Sequence, residues 1–285
     1  MLFFTNFALT CENTIKAIKE SERLLAQKAT MNDKRLTDLT QKLPPISLDE
    51  MSGIKLMNRT DTKFVATLSQ LHQFLSAVEG QYYIQQIDGK RIASYHTVYF
   101  DTADFMMYTM HHNGKARREK IRVRTYVDSD TTFLEVKNKN NHGRTKKKRI
   151  TVDDASTLAL QAESVVPFLA KHAWYTLDEI SPVTENHFNR ITLVNYGKTE
   201  RLTIDFGLKF HNLATDERKQ LDRVVIIELK RDGNVFSPAL AIIRDLRIRR
   251  SGFSKYCIGS ILTNKNLKIN NFKERIRFIQ RLENK

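Results

Sequence analysis

The chain has 285 residues, with 47 Lys and Arg against 32 Asp and Glu, a formal net charge of +15, and 41% hydrophobic residues. That length can bury a substantial core, and no apolar run approaches the roughly 20 residues that a membrane-spanning helix needs. Cys11 and Cys257 lie far apart and fit neither a disulfide framework nor a closely spaced zinc site, so a reducing cytoplasm is the expected setting.

The opening MLFFTNFALTC lacks a basic n-region and a small-residue cleavage site, so it does not read as a secretory signal. Residues 13–45 form a charged, helix-favouring segment that ends at Pro44-Pro45, and Met31 offers an alternative start. Beyond it, LSQLHQFLSAVEG places Leu68, Leu71, Leu75 and Val78 at helical spacing before Gly80. Eight runs have strand character: MNRTDTKFV, SYHTVYFDT, REKIRVRTYV, TTFLEVKNK, TKKKRITVDD, TENHFNRITLVNY, ERLTIDFGLKF and DRVVIIELK. They are rich in Val, Ile, Thr, Tyr and Phe and are separated by turn residues such as those at 128–130 and 140–143. Further helices are expected near 155–172, 238–248 and 271–282. Together these predict an α+β fold with a mainly antiparallel sheet or barrel. The expected division is an extension over 1–46, partly helical or without fixed structure, a main domain over 47–262, and a basic amphipathic helix within 263–285.

The charge is local. Residues 115–149 hold thirteen basic and four acidic side chains, a net of +9; residues 244–256 add +4 and 265–285 add +5, leaving −3 for everything else. Local positive charge points to a polyanionic partner better than a uniformly high isoelectric point does.

Successive strand residues face opposite ways. In REKIRVRTYV, Arg118, Lys120, Arg122 and Arg124 therefore share one face, and Ile121, Val123 and Val127 the other. The same sorting puts Arg59, Asp61 and Lys63 together, and Glu135, Lys137 and Lys139 against Leu134 and Val136. Lys147 and Arg149 oppose Ile150 and Val152, Arg201 and Asp205 oppose Leu202, Ile204 and Phe206, and Glu228 and Lys230 oppose Ile227 and Leu229. An ordinary solvent face sets opposite charges across from one another, because like charges directly opposite destabilise a sheet. Cations stacked along one strand suit a sheet curled with its charged face inward and its apolar face under the helices. The expectation is an eight-stranded antiparallel barrel with a polar, basic lumen wide enough for a threadlike ligand. Arg forks and Lys point charges suit polyphosphate, and a few carboxylates suit Mg²⁺ or Mn²⁺ bridging phosphates.

The ordered set MNRTDTKF, HTVYFDT, IRVRTY, FLEVK followed by KKKRI, FNR, ERLTIDF, VIIELK and SGFSKY resembles the VTC domain over about residues 55–262. This is the polyphosphate polymerase domain of the triphosphate tunnel metalloenzyme superfamily. The resemblance implies a tunnel that transfers the γ-phosphoryl group of ATP to a growing inorganic polyphosphate chain with Mn²⁺ or Mg²⁺. It assigns catalysis to Lys63, Arg122, Arg124, Lys137, Lys147 and Arg149, and substrate contact to Arg190, Arg201 and Lys255. Arg59 and Lys230, on the same charged faces, join the substrate set. Glu228 matches the metal-binding glutamate, with an ion pair to a tunnel arginine as its alternative; Glu135 and Asp205 read first as structural carboxylates. Two departures stand out. Asp61 replaces a position more often Glu, and Gly252 stands where some relatives carry a second lysine, with Arg249 or Arg250 able to substitute.

Two alternative readings are a triphosphatase or nucleotide cyclase of the same fold, and a non-catalytic binder of polyphosphate or nucleic acid. Nucleic acid is not expected, because the basic strands lack regularly interleaved stacking aromatics. His111, His112 and His142 read as surface loop residues, Lys139, Lys146 and Lys148 as outward or strand-end charge, and Trp174 as core. Phe272, Ile276, Ile279 and Leu282 predict a tail helix packed on the barrel exterior, whose basic face leaves a membrane-surface contact open.

Overall fold

The computed structural model describes residues 34–52, 59–233 and 235–284. The readings made on residues 1–33, including Cys11 and Met31, lie outside the described residues. In chain order the elements are α1 (34–41), β1 (Pro45–Ile46), α2 (Leu48–Ser52), β2 (Arg59–Thr67), α3 (Leu68–Ala77), β3 (Tyr82–Gln85), β4 (Ala93–Asp101) and α4 (Met106–His112). Then follow β5 (Arg118–Tyr126), β6 (Thr131–Lys139), β7 (Thr145–Thr151), α5 (Ala162–His172), β8 (Ser181–Asn195) and β9 (Glu200–Asn212). The chain continues through β10 (Arg218–Leu221), β11 (Val224–Asp232), α6 (Pro238–Asp245), β12 (Arg249–Arg250), α7 (Lys255–Thr263) and α8 (Lys273–Glu283).

The eight expected strands form one run, β2-β11-β9-β8-β4-β5-β6-β7, in which every neighbouring pair is antiparallel. Four short strands decorate it: β12 on β2, β10 on β9, β3 on β8, and β1 parallel to β3. The fold is therefore α+β with a large antiparallel sheet. The expected closed barrel is corrected, since no ladder among the described residues joins β7 to β2 or β12, and the sheet is open. It is nevertheless strongly curled, because residues of all eight long strands line one cavity. Closing the seam would set the basic edge of β6 and β7 against Lys63 on β2, and like charges oppose that pairing. A second cavity of about 1240 Å³ lies at the seam instead, between Asp61 and Lys63 on one side and Lys137, Lys139 and Thr145 on the other.

The apolar outer face is covered by helices. Phe64, Ala66, Leu202, Ile204, Val225 and Ile227 pack against Leu36, Leu71, Phe74, Leu75 and Ile243 of α1, α3 and α6. The chain ahead of the main domain thus contributes Leu36, Leu39 and Leu43 to this core. Farther round, Val98, Ile121, Val123, Leu134 and Val136 meet Met107 of α4 and Val165, Phe168 and Leu169 of α5. Entry into α3 is fixed by a capping box, in which Thr67 accepts from the Gln70 backbone and Gln70 accepts from the Thr67 backbone.

The inner face changes character along the strands. Arg and Lys line one end, whereas Val65, Leu208, Phe210, Val224 and Ile226 line the other, and α7 fills it with Tyr256, Cys257, Ile258 and Ile261. Gly259 lets α7 enter: a Cβ there would lie 2.5 Å from Phe210 Cδ1. Cys257 is buried as a free thiol in this plug. On α8, Ile276, Ile279 and Leu282, with Phe272 just ahead of the helix, join the same cluster, so its apolar face is already occupied. Among the described residues no helix is long and apolar enough to cross a membrane.

Candidate active site

Register builds the site. On β5, Lys120, Arg122 and Arg124 stand opposite Lys137, Glu135 and Phe133 of β6, and β7 sets Lys147 beside Lys137. On the far side of the curl, Lys63 of β2 stands opposite Glu228 of β11, Asp61 opposite Lys230, and Lys230 also opposite Arg201 of β9. Arg190 of β8 pairs with Asp205 of β9. Their side chains converge on a cavity of about 710 Å³, lined by ten Lys and Arg residues and three carboxylates.

Three carboxylates hold this array, and each is shared by two cations. Glu135, 1% exposed, accepts from Arg122 at 2.6 and 2.8 Å and from Lys147 at 2.7 Å. Asp205 accepts from Arg190 at 2.6 and 2.9 Å and from Lys255. Glu228 lies 2.8 Å from Lys63 and 3.9 Å from Lys230. The cations also rest on rings. The Arg124 and Arg190 guanidinium groups lie 5.5 and 5.0 Å from the Tyr95 centroid, and the Lys255 ammonium lies 4.1 Å from that of Phe188.

The side-chain ionisation equilibria follow from this crowding. Burial opposes ionisation of Glu228, yet Lys230 and Lys63 outweigh it and hold the carboxyl at about 2. Glu135 is brought to about 2 in the same way by Arg122 and Arg124, and Asp205 is held well below the usual carboxylate range by Arg190 and Lys255. The lysines move the other way. Burial, then Arg122 and Lys120, lowers Lys137 to about 8. Burial is also the main cause at Lys120, Lys230 and Lys255, each lowered to about 8. Depressed lysines beside fully ionised carboxylates mark a cavity short of negative charge, which an anion of several charges would supply.

Of the residues expected from sequence, Lys63, Arg122, Arg124, Lys137 and Lys147 line this cavity, as do Arg190, Arg201, Lys230, Lys255 and Glu228. Arg149 does not. It is exposed, with its guanidinium 4.2 Å from the Phe133 ring centroid. Arg59 begins β2, in register with Asp232. Sequence reasoning left out of the site Lys120, which donates to Ser254 Oγ at 2.8 Å, and the Tyr95, Tyr99 and Phe188 rings. Alternation along β4 and β8 was the signal for those rings, as it was for the cations. Near Gly252 the added charge comes from Arg275, whose Cζ is 3.7 Å from where a Cβ would stand. Arg249 and Arg250 are instead exposed on the edge strand β12.

His111 and His112 correct another expectation, since both lie in the last turn of α4. His112 is buried, and His111 is held at about 2 by burial and then by Lys120 and Arg118. Trp174 is half-buried rather than core, under the Arg117 guanidinium at 4.9 Å. Asp101 was missed as a structural group. Its carboxylate accepts from the Thr102, Met107 and Tyr108 backbone amides at 2.8 Å each and from the Tyr256 hydroxyl, tying β4 and α4 to the plug.

Hard oxygen donors for a divalent cation come from Glu228, whose side chain is ionised and 21% exposed to the cavity, and from Asp61 in the same wall. One or two carboxylates completed by substrate phosphates is the usual donor set for Mg²⁺ or Mn²⁺. Glu135 and Asp205 are only 1% and 4% exposed, so they are less accessible to such an ion than Glu228.

The family model for the VTC domain matches residues 58–264. The chain belongs to the VTC domain family. The match spans the strands from β2 to β12 together with α7, so every charged residue that lines the basic cavity lies within the VTC domain. No curated protein matches the chain. Solved structures similar to it include a putative adenylyl cyclase from Hippeastrum, reported to reveal a dominant triphosphatase activity. It is 16% identical with a TM-score of 0.49, over 73% of this chain and 97% of that one. A putative adenylate cyclase from Vibrio parahaemolyticus is 12% identical with a TM-score of 0.42, over 72% of this chain and 99% of that one. The PH1012 protein from Pyrococcus horikoshii is 8% identical with a TM-score of 0.39, over 70% and 98%.

Proposed function

We propose that this VTC domain protein is a metal-dependent polyphosphate polymerase that transfers the γ-phosphoryl group of ATP to the end of a growing inorganic polyphosphate chain. The observation that carries the reading is the convergence of ten cations from a curled sheet on one cavity, with Glu228 and Asp61 in its wall. A terminal oxygen of the chain attacks the γ-phosphorus as the bond to the β-phosphate oxygen breaks and ADP leaves. The attacking phosphate is already ionised at neutral pH, so no general base is needed, and positioning with charge neutralisation does the work. Arg122, Arg124, Lys137 and Lys147 grip the triphosphate, Arg190, Arg201, Lys230 and Lys255 hold the rest of the phosphate path, and Lys63 bridges these groups to Glu228. Glu228, with Asp61, would hold a divalent ion that neutralises phosphate charge when bound.

Room for a chain favours polymerase over triphosphatase or cyclase. A hydrolase needs space for one triphosphate, whereas here the seam cavity, lined by Arg118, Lys139, Arg144 and Lys146, continues from the first and shares Lys63, Lys120 and Lys137 with it. With α7 filling the opposite end, the product leaves through the seam. Incubating the purified protein with ATP and Mn²⁺ or Mg²⁺ tests the reading. Long chains on a gel that an exopolyphosphatase digests are expected, with loss of synthesis but retained tripolyphosphate binding in Glu228→Gln. Free phosphate or cyclic AMP as sole product would assign the hydrolase or cyclase, and inactivity with every metal would leave a binder.

A further inference from the structure

On the outer surface of β4, β8 and β9, register gathers three histidines and a glutamate that the phosphate chemistry does not use. His96 alternates with Tyr95, which lines the cavity, so its ring lies on the other face of the sheet. It stands opposite His187, and the two rings stack with centroids 4.2 Å apart and planes within 7°. Glu185, two residues before His187, lies with one oxygen 2.9 Å from His96 Nε2 and the other 2.8 Å from His211 Nδ1. The other nitrogen of His211 is 2.6 Å from Asp216. One donor atom each from His96, Glu185 and His187 lie within 4.8 Å of one another.

We infer that His96, Glu185 and His187 form a binding site for a divalent transition metal ion, zinc in the first place, separate from the cation site at Glu228. Two imidazoles and a carboxylate are a zinc donor set, and the partly exposed surface leaves a fourth position for water. Mg²⁺ and Ca²⁺ prefer oxygen alone, which sets this site apart from the lumen. The chain from Asp216 through His211 to Glu185 is the hydrogen-bonded outer shell that orients a ligating carboxylate. Lys209 opposes His187 in register, but it is exposed and its long stem can carry the ammonium into solvent. Bound there, the metal would pin β4 to β8 from outside, on strands whose inner faces carry Tyr95 and Arg190.

Titrating zinc chloride into the full chain by calorimetry, and cobalt chloride by visible absorption, tests the site. The expected result is one tight zinc ion per chain, a tetrahedral cobalt spectrum, and the same stoichiometry in Glu228→Gln. His187→Ala and His96→Ala, both surface changes checked for folding by circular dichroism, should abolish tight binding and the cobalt spectrum. His211→Ala should keep the stoichiometry and weaken affinity about 10- to 100-fold, the range for loss of an outer-shell partner. Absence of tight zinc binding in the unaltered protein, or unchanged affinity in folded His187→Ala, would overturn the assignment.

Discussion

Replacing Glu135 by Gln should weaken the fold while strengthening anion binding. Glu135 is 1% exposed and takes three short hydrogen bonds from Arg122 and Lys147. Its carboxyl is lowered from 4.5 to about 2, which at about 1.4 kcal/mol per unit corresponds to roughly 3 kcal/mol of stability from ionisation. Loss of one partner of a buried pair is of the same order, about 3 to 5 kcal/mol; Lys147, 44% exposed, recovers some of that in water. Because the folded value lies below the unfolded one, the contribution is complete above pH 4.5 and disappears as pH falls through 2. Urea denaturation should show Glu135→Gln about 3 kcal/mol less stable at pH 7, with the gap about halved at pH 3. Tripolyphosphate should bind the variant more tightly, because a competing negative charge is gone. Equal stability at pH 7, or a gap that does not change between pH 5 and pH 2.5, would refute the role given to this carboxylate.

Tripolyphosphate binding without metal should take up protons near pH 8.5. Lys120, Lys137, Lys230 and Lys255 sit at about 8 in the free protein, and a bound anion raises them, so affinity falls as pH rises through 8; calorimetry in two buffers of different ionisation enthalpy reads the uptake, and net release would contradict it. Arg124→Ala should lower tripolyphosphate affinity roughly 10- to 100-fold, the worth of a charge-assisted hydrogen bond. Stability should hold or rise, because burial, Arg122 and Arg190 already push that guanidinium down; a denaturation midpoint well below that of the parent would show a structural role instead. Gly259→Ala forces a methyl to within 2.5 Å of Phe210 and should cost about 1 to 3 kcal/mol as overpacking, read as a lower thermal midpoint.

Strand content and facing were legible because both follow from a period of two: the eight long strands and ten cavity residues came from alternation and motif order. Closure was not, since alternation says which face a side chain takes and nothing about whether two edges meet. SGFSKY reads as a short basic segment, and in the structure Ser254 caps α7 by accepting from the Cys257 amide; the helix behind it is nearly all buried, so it lacks the amphipathic pattern that marks a surface helix. The His96, Glu185, His187 and His211 group was invisible for another reason. Its members are scattered from β4 to β9 and meet only through register, whereas adjacency in the chain drew notice to His111 and His112.

The plug has a consequence for how the chain reaches this structure. Helix α7 follows the twelve strands of the described residues in sequence, so on the ribosome the curled sheet is made before the segment that fills its apolar end. Until residues 255–263 emerge, Leu208, Phe210, Val224 and Ile226 have no cover from that helix, and such surface favours association between nascent chains. Insertion of α7 past Phe210 depends on contacts distant in sequence, and distant contacts form slowly. Cells making this protein quickly would meet their aggregation risk in that interval.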